Sequence, residues 1–157
     1  MQSIDQTSQL DAKAVAALYD TDLYAWANTN VELLRNGRYE QIDIGHLIEE
    51  IEDMGKSQQH AISSHLRNLL MHLLKWEYQP ILRTNSWRLT IHNCREEIQT
   101  LIEESPRLTG LPEKQIDIVY PKAVRSAVVE TGLAASTFPS TCPYKIDQIL
   151  AHEWLPL

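Results

Sequence analysis

The side chains best suited to chemistry in this 157-residue chain are a carboxylate block and a set of histidines along one stretch, residues 44–80. Glu49, Glu50, Glu52 and Asp53 crowd into little more than one helical turn. They could ligate a metal, act as general bases, or form a solvated acidic rim. Glu49 and Glu52 are three apart, and His46 and Glu50 four apart, so each pair would be neighbours on a helix surface. Further along, His65 and His72 are seven apart and share a face, with Trp76 one turn beyond His72. Two histidines hold a catalytic metal only with a third protein ligand, which His92 or Cys94 could supply. The metal candidates are therefore His65, His72 and His92. Against this, a histidine on an apolar face commonly bonds a backbone carbonyl or a carboxylate, here Glu49 or Glu52, and serves the core. Di-metal carboxylate bundles use Glu-x-x-His pairs from several helices. That pattern is absent from the sequence.

Other residues offer binding rather than reaction. Trp26, Trp76 and Trp87 could stack a base or planar cofactor, although tryptophans of small bundles more often pack the core or its rim. Arg83, Arg88, His92 and Arg95 have the spacing of one helix face and could touch phosphates. The acids Glu96, Glu97, Glu103 and Glu104 follow at once, which favours a solvated or internally paired face. Ser57, Ser86 and Cys94 lie in no nucleophile-elbow or dyad context. There is no glycine-rich phosphate loop either, so the usual nucleotide sites are excluded.

The elements that would position these groups are all helical. Val15, Leu18, Leu23, Trp26 and Leu33 recur at near-helical spacing from Asp11 to about Asn36, where Asn36-Gly37 supplies a stop. Asp43 is an N-cap for a long second helix. Its apolar stripe is Ile44, Leu47, Ile48, Ile51, Gly55, Ile62, Leu66, Leu69, Leu73 and Trp76, which predicts a helix running through Gly55, with a kink or close helix contact there. Beyond Arg67 the other faces turn apolar too, through Leu70, Met71 and Leu74, as befits a central helix. Ser86 is the N-cap read for a third helix, which Ser105-Pro106 ends. A fourth starts at Leu111-Pro112, with a bend at Pro121, and closes at Thr131-Gly132. The tail predicts a short helix from about Pro143 and an aromatic tether at Trp154.

Composition agrees with one globular domain over residues 11–157, preceded by a polar, frayed residues 1–10. Hydrophobic residues are 43% and charged residues 22%, and no apolar run reaches the roughly 20 residues of a membrane span. The N-terminus lacks the basic and apolar regions of a secretory signal. Cys94 and Cys142 read as free thiols, and a cytoplasmic setting is expected. A net charge of −7 disfavours nucleic acid as partner. The charge is polarised. Residues 37–56 carry six acids against Arg38 and Lys56, and residues 61–95 carry five bases against Glu77.

The segments TDLYAW (21–26), LIEEIEDMGKS (47–57), LLMHLLKWEYQP (69–80), SWRLTI (86–91), ESP (104–106) and ETGL with TFPSTCPY (130–144) together resemble the bacterial family catalogued as domain of unknown function twenty-nine. The resemblance covers about residues 18–155. It implies a compact all-helical domain, common in cyanobacteria and some proteobacteria, with no agreed activity. It draws attention to Glu49, Glu50, Glu52, Gly55, His72, Lys75, Trp76, Ser86 and Trp87, and departs from the family pattern at His65.

The expectation is an all-α bundle of four main helices with a long central second helix and a short C-terminal one. Its candidate site residues are Glu49, Glu50, Glu52, His72, Trp76 and Trp87, and no cofactor is required by the sequence. The function expected is a protein-interaction or self-associating module, its partner another protein or a second copy. Two alternatives stand beside it. One is a metal-dependent hydrolase or transferase centred on His72 and the Glu49–Glu52 carboxylates. The other is a nucleic-acid-linked regulator using Arg83, Arg88 and Arg95.

Overall fold

The computed structural model describes residues 11–157, and all their regular structure is helical. The helices are α1 (Ala12–Thr21), α2 (Leu23–Arg35), α3 (Ile44–Tyr78), α4 (Asn85–Glu104), α5 (Leu111–Thr131) and α6 (Ile146–Leu150), with a single 3-10 turn in each connection after α2. Five are substantial rather than four, because the first predicted helix is two. Asp22 breaks it: its backbone leaves the helical region, and its carboxylate accepts the Ala25 N–H at 2.9 Å to begin α2. Apolar periodicity runs on through that break, since only one residue is out of register.

Most other boundaries follow local chemistry. Asp43 caps α3 as expected, its backbone carbonyl accepting from Leu47 N and its side chain from His46 N. Thr84 caps α4, accepting from Trp87 N at 3.2 Å, so Ser86 lies inside the first turn instead. Gly132 ends α5 at φ 71°, a left-handed conformation that a side chain would strain. Pro121 sits inside α5, which runs through it.

Packing divides the chain at Gly55 into two compact units, Met1–Gly55 and Lys56–Leu157. In the first, Val15, Trp26, Leu33 and Ile42 form a small core with Leu18, Tyr19, Ala27 and Leu47 against it. A polar seam crosses this core. Asp43 accepts from Trp26 Nε1 at 2.9 Å and meets His46 Nδ1 at 2.5 Å. Buried Asn30 accepts from Asp43 N and donates to the Trp26 carbonyl. Burial alone would raise the Asp43 pKa, but the hydrogen bonds from Trp26 and His46 outweigh it and hold the carboxyl below its ordinary value. The same bond to Asp43 lifts His46 above 6.5.

In the second unit the later half of α3 is the spine. Ile62 is fully buried, and so are Leu66, Leu69, Leu70, Leu73 and Leu74, which cluster with Ile91, Cys94 and Ile98 of α4, Val119, Tyr120, Ala123 and Ala127 of α5, and Phe138, Tyr144 and Ile149 beyond. Each such leucine contributes roughly 1.5–3 kcal/mol of apolar burial. The ring of Trp154 packs edge-on against Tyr144, 5.4 Å between centroids, so the expected aromatic tether is present. The earlier half of the α3 stripe is different. Ile44, Ile48 and Ile51 are exposed, Ile51 by 66%, and a Cβ on Gly55 would meet nothing within 4 Å. The glycine therefore marks no close helix contact.

Candidate functional site

Each sequence-derived candidate has a definite place. Glu50 accepts a 2.6 Å hydrogen bond from the Tyr19 hydroxyl, whose ring stacks on His46 with centroids 3.9 Å apart. That bond, reinforced by burial and by the charges of Glu50, Glu49 and Asp53, pushes the phenol up to about 12. Glu49 and Glu52 are exposed on α3. His72 is buried, and its Nδ1 lies 2.9 Å from the Asn68 carbonyl rather than against Glu49 or Glu52. Burial lowers its pKa below 6.5, with the nearby Lys75 charge adding to the shift and the Asn68 carbonyl opposing it. A neutral imidazole pinned to its own helix is a core group. His65 lines a groove facing α5, and His92 is exposed on α4. The three histidines join no common ligand set among the described residues.

Trp76 and Trp87 are engaged by cations. Arg83 lies over the Trp76 ring at 5.0 Å and donates through Nε to the Trp76 carbonyl, and Arg88 approaches the same ring at 5.5 Å. Nearly buried Lys75 sits 4.4 Å from the Trp87 ring centre and 2.5 Å from Glu130. These rings pack and pair within the unit, as tryptophans of small bundles do. Arg95 differs most from its expected place on a solvated basic face. It is 2% exposed, and its guanidinium donates to the carbonyls of Ile149 (2.8 Å), His152 (3.1 Å), Gln148 (3.5 Å) and Trp154 (2.8 Å). Burial lowers its pKa to about 10, so it remains charged at neutral pH. Of the three arginines proposed for phosphate, Arg95 clasps the C-terminal segment, and Arg83 and Arg88 frame Trp76.

A cleft of about 900 Å³ lies elsewhere, along α3 and α5, and is lined by His65, Arg67, Asn68 and Met71 of α3 and Lys122, Arg125, Val129 and Glu130 of α5. Two smaller hollows extend it past His60, Ser63 and Ser64 toward Lys56, Ile118 and Val119. Glu130 is the one carboxylate in these linings, and it already pairs with Lys75. Among the described residues, Arg67, Lys122 and Arg125 make no ion pair with an acid. The groove is therefore cationic on an acidic protein, with an apolar floor of Met71 and Val119 and the exposed Val129 at its rim. Single bases at positions 67, 122 and 125 form no cluster in the sequence; the register of α3 against α5 collects them.

No helix among the described residues is long and apolar enough to cross a membrane. No curated protein and no solved structure matches the chain. Residues 18–155 match the family described as Domain of unknown function DUF29, nearly the whole length over which the helices just described are built. On that match, the chain belongs to the DUF29 family.

Proposed function

We propose that this domain is a self-associating interaction module in which the acidic, apolar-striped start of α3 from one copy docks into the α3–α5 groove of another. The observation that carries this reading is the groove itself: cationic walls and an apolar floor in a chain of net charge −7. The chain also carries the matching surface. Ile44, Ile48 and Ile51, at spacings of four and three, are the anchors an amphipathic helix lays into a groove, and Met54 is exposed beside them. Glu49 and Glu52 flank those anchors with charge opposite to that of Arg67, Lys122 and Arg125. Complementary charge of this kind sets register and speeds encounter. An acidic helix fits better than a nucleic acid, which would leave the apolar floor unused and would meet the field of a net acidic protein.

Two different surfaces meeting in this way make a heterologous contact, head to tail. Two variants test it, Arg67→Glu with Lys122→Glu in the groove, and Ile48→Asp with Ile51→Asp on the helix. Each alone is expected to be monomeric at concentrations where the unmodified chain associates. Mixed, they retain one intact pair of surfaces and should form a one-to-one dimer that grows no further. Failure of the mixture to associate, or retention of the unmodified chain on nucleic acid in place of association, overturns the proposal.

A further inference from the structure

On α4, His92 and Glu96 are four residues apart and stand side by side on the exposed face. His152, from the segment after α6, comes to lie against them. Its Nδ1 is 3.3 Å from Glu96 Oε1, and the two imidazole centroids are 6.0 Å apart. One potential ligand atom from each of the three residues falls within 4.8 Å of the others. It is the one such grouping of three among the described residues.

The geometry points to a divalent transition-metal site formed by His92, Glu96 and His152, with the ion held between α4 and the C-terminal segment. Two imidazoles and one carboxylate are the donor set of open catalytic zinc sites and of non-haem iron sites. Ligand atoms around such an ion lie about 3–3.5 Å apart, following from metal–ligand lengths of about 2.0–2.2 Å. The three side chains need close by no more than about 1.3–1.8 Å, and their exposure leaves them free to do so. Their backbones are not free. His92 and Glu96 ride on a regular helix, and the His152 carbonyl is held by Arg95 at 3.1 Å, the neighbouring carbonyls of Ile149 and Trp154 by the same guanidinium. Arg95 is thus a positioning residue for the site, presenting His152 to α4 while touching no ion itself.

A cleft of about 580 Å³ beside the triplet, lined by Arg88, Leu89, His92, His152, Glu153 and Leu155 among others, leaves the site open to solvent. This inference stands apart from self-association, since it uses α4 and the C-terminal segment.

The test is titration of the tag-free full chain with Zn²⁺ alone, followed by calorimetry, and with Co²⁺, followed by visible absorption. One ion per chain is expected, with the absorption of a nitrogen- and oxygen-ligated Co²⁺. His92→Gln, Glu96→Gln and His152→Gln should each weaken binding by more than about tenfold while leaving the far-ultraviolet dichroism unchanged. His60→Gln and His65→Gln should bind as the unmodified chain does. Arg95→Lys should weaken the metal while leaving its stoichiometry at one. If no ion binds, or if the triplet variants bind as tightly as the unmodified chain, the site does not exist.

Discussion

Replacing Arg95 by methionine should release the C-terminal segment from α4. The side chain is buried, and three of its donated hydrogen bonds are 3.1 Å or shorter, to Ile149, His152 and Trp154. Hydrogen bonds to a charged group contribute about 1.5–3 kcal/mol each. Burying the guanidinium offsets part of this, and freed carbonyls can turn to water. The net loss should therefore be about 3–5 kcal/mol, the range seen when one partner of a buried charged network is removed. Methionine approximates the apolar stem and leaves no large void, so the loss belongs to the head group. Hydrogen exchange of residues 146–154 reads this locally. Their amide protection should fall by roughly two to three and a half decades, at 1.4 kcal/mol per decade, while residues 12–47 change little. Arg95→Lys keeps the charge without the fork and should recover less than half of the loss. A fall of under about tenfold for the methionine variant would refute the reasoning, because the carbonyls would then have found other donors.

Three further outcomes follow from particular contacts. Gly55→Ala should raise stability by about 0.5–1 kcal/mol in chemical denaturation, because the new methyl meets nothing and glycine is entropically costly inside a helix. A loss on this substitution would mean that α3 is not regular there. The Asp43–His46 pair should make the first unit most protected between the two ordinary pKa values, 3.8 and 6.5. His46 has a raised pKa, so its contribution is complete below 6.5 and is lost as pH rises through the folded value. Asp43 has a lowered pKa, so its contribution is present above 3.8 and is lost as pH falls through its folded value. His46→Gln should abolish the alkaline arm of this profile in hydrogen exchange of residues 12–47, and an unaltered arm would show that the bond contributes nothing. Leu70→Ala, at a fully buried position, should cost about 2–5 kcal/mol and lower the thermal midpoint, whereas a cost below about 1 kcal/mol would contradict the assignment of that residue to the core.

The helical class, the long α3, the cap at Asp43, the stop at Gly132 and the tether at Trp154 were legible because each rests on local chemistry. The break at Asp22 was not, since the apolar pattern continues through it. Periodicity identified the Ile44–Trp76 stripe but carries no information on what covers it, and the structure leaves its first part exposed. For the candidate sites the limit was sequence distance. Arg95 reads as a surface base because its partners are carbonyls more than fifty residues away. His152 has no neighbours of its own kind in sequence, and it meets His92 and Glu96 only through the course of the chain after α6. The groove bases are likewise dispersed. His72, the residue most open to a catalytic reading, satisfies itself within one helical turn, a bond that spacing toward distant carboxylates does not anticipate.

Self-association through the groove is tested most directly by light scattering of the unmodified chain and of the Arg67→Glu, Lys122→Glu variant as concentration rises. Low salt should show the mass of the unmodified chain climbing above that of a monomer, and about 1 M salt should reduce it as the screening length falls to about 3 Å. The variant should stay monomeric throughout. A monomer mass for the unmodified chain at every concentration in low salt, or growth that the groove substitutions leave untouched, would contradict the account.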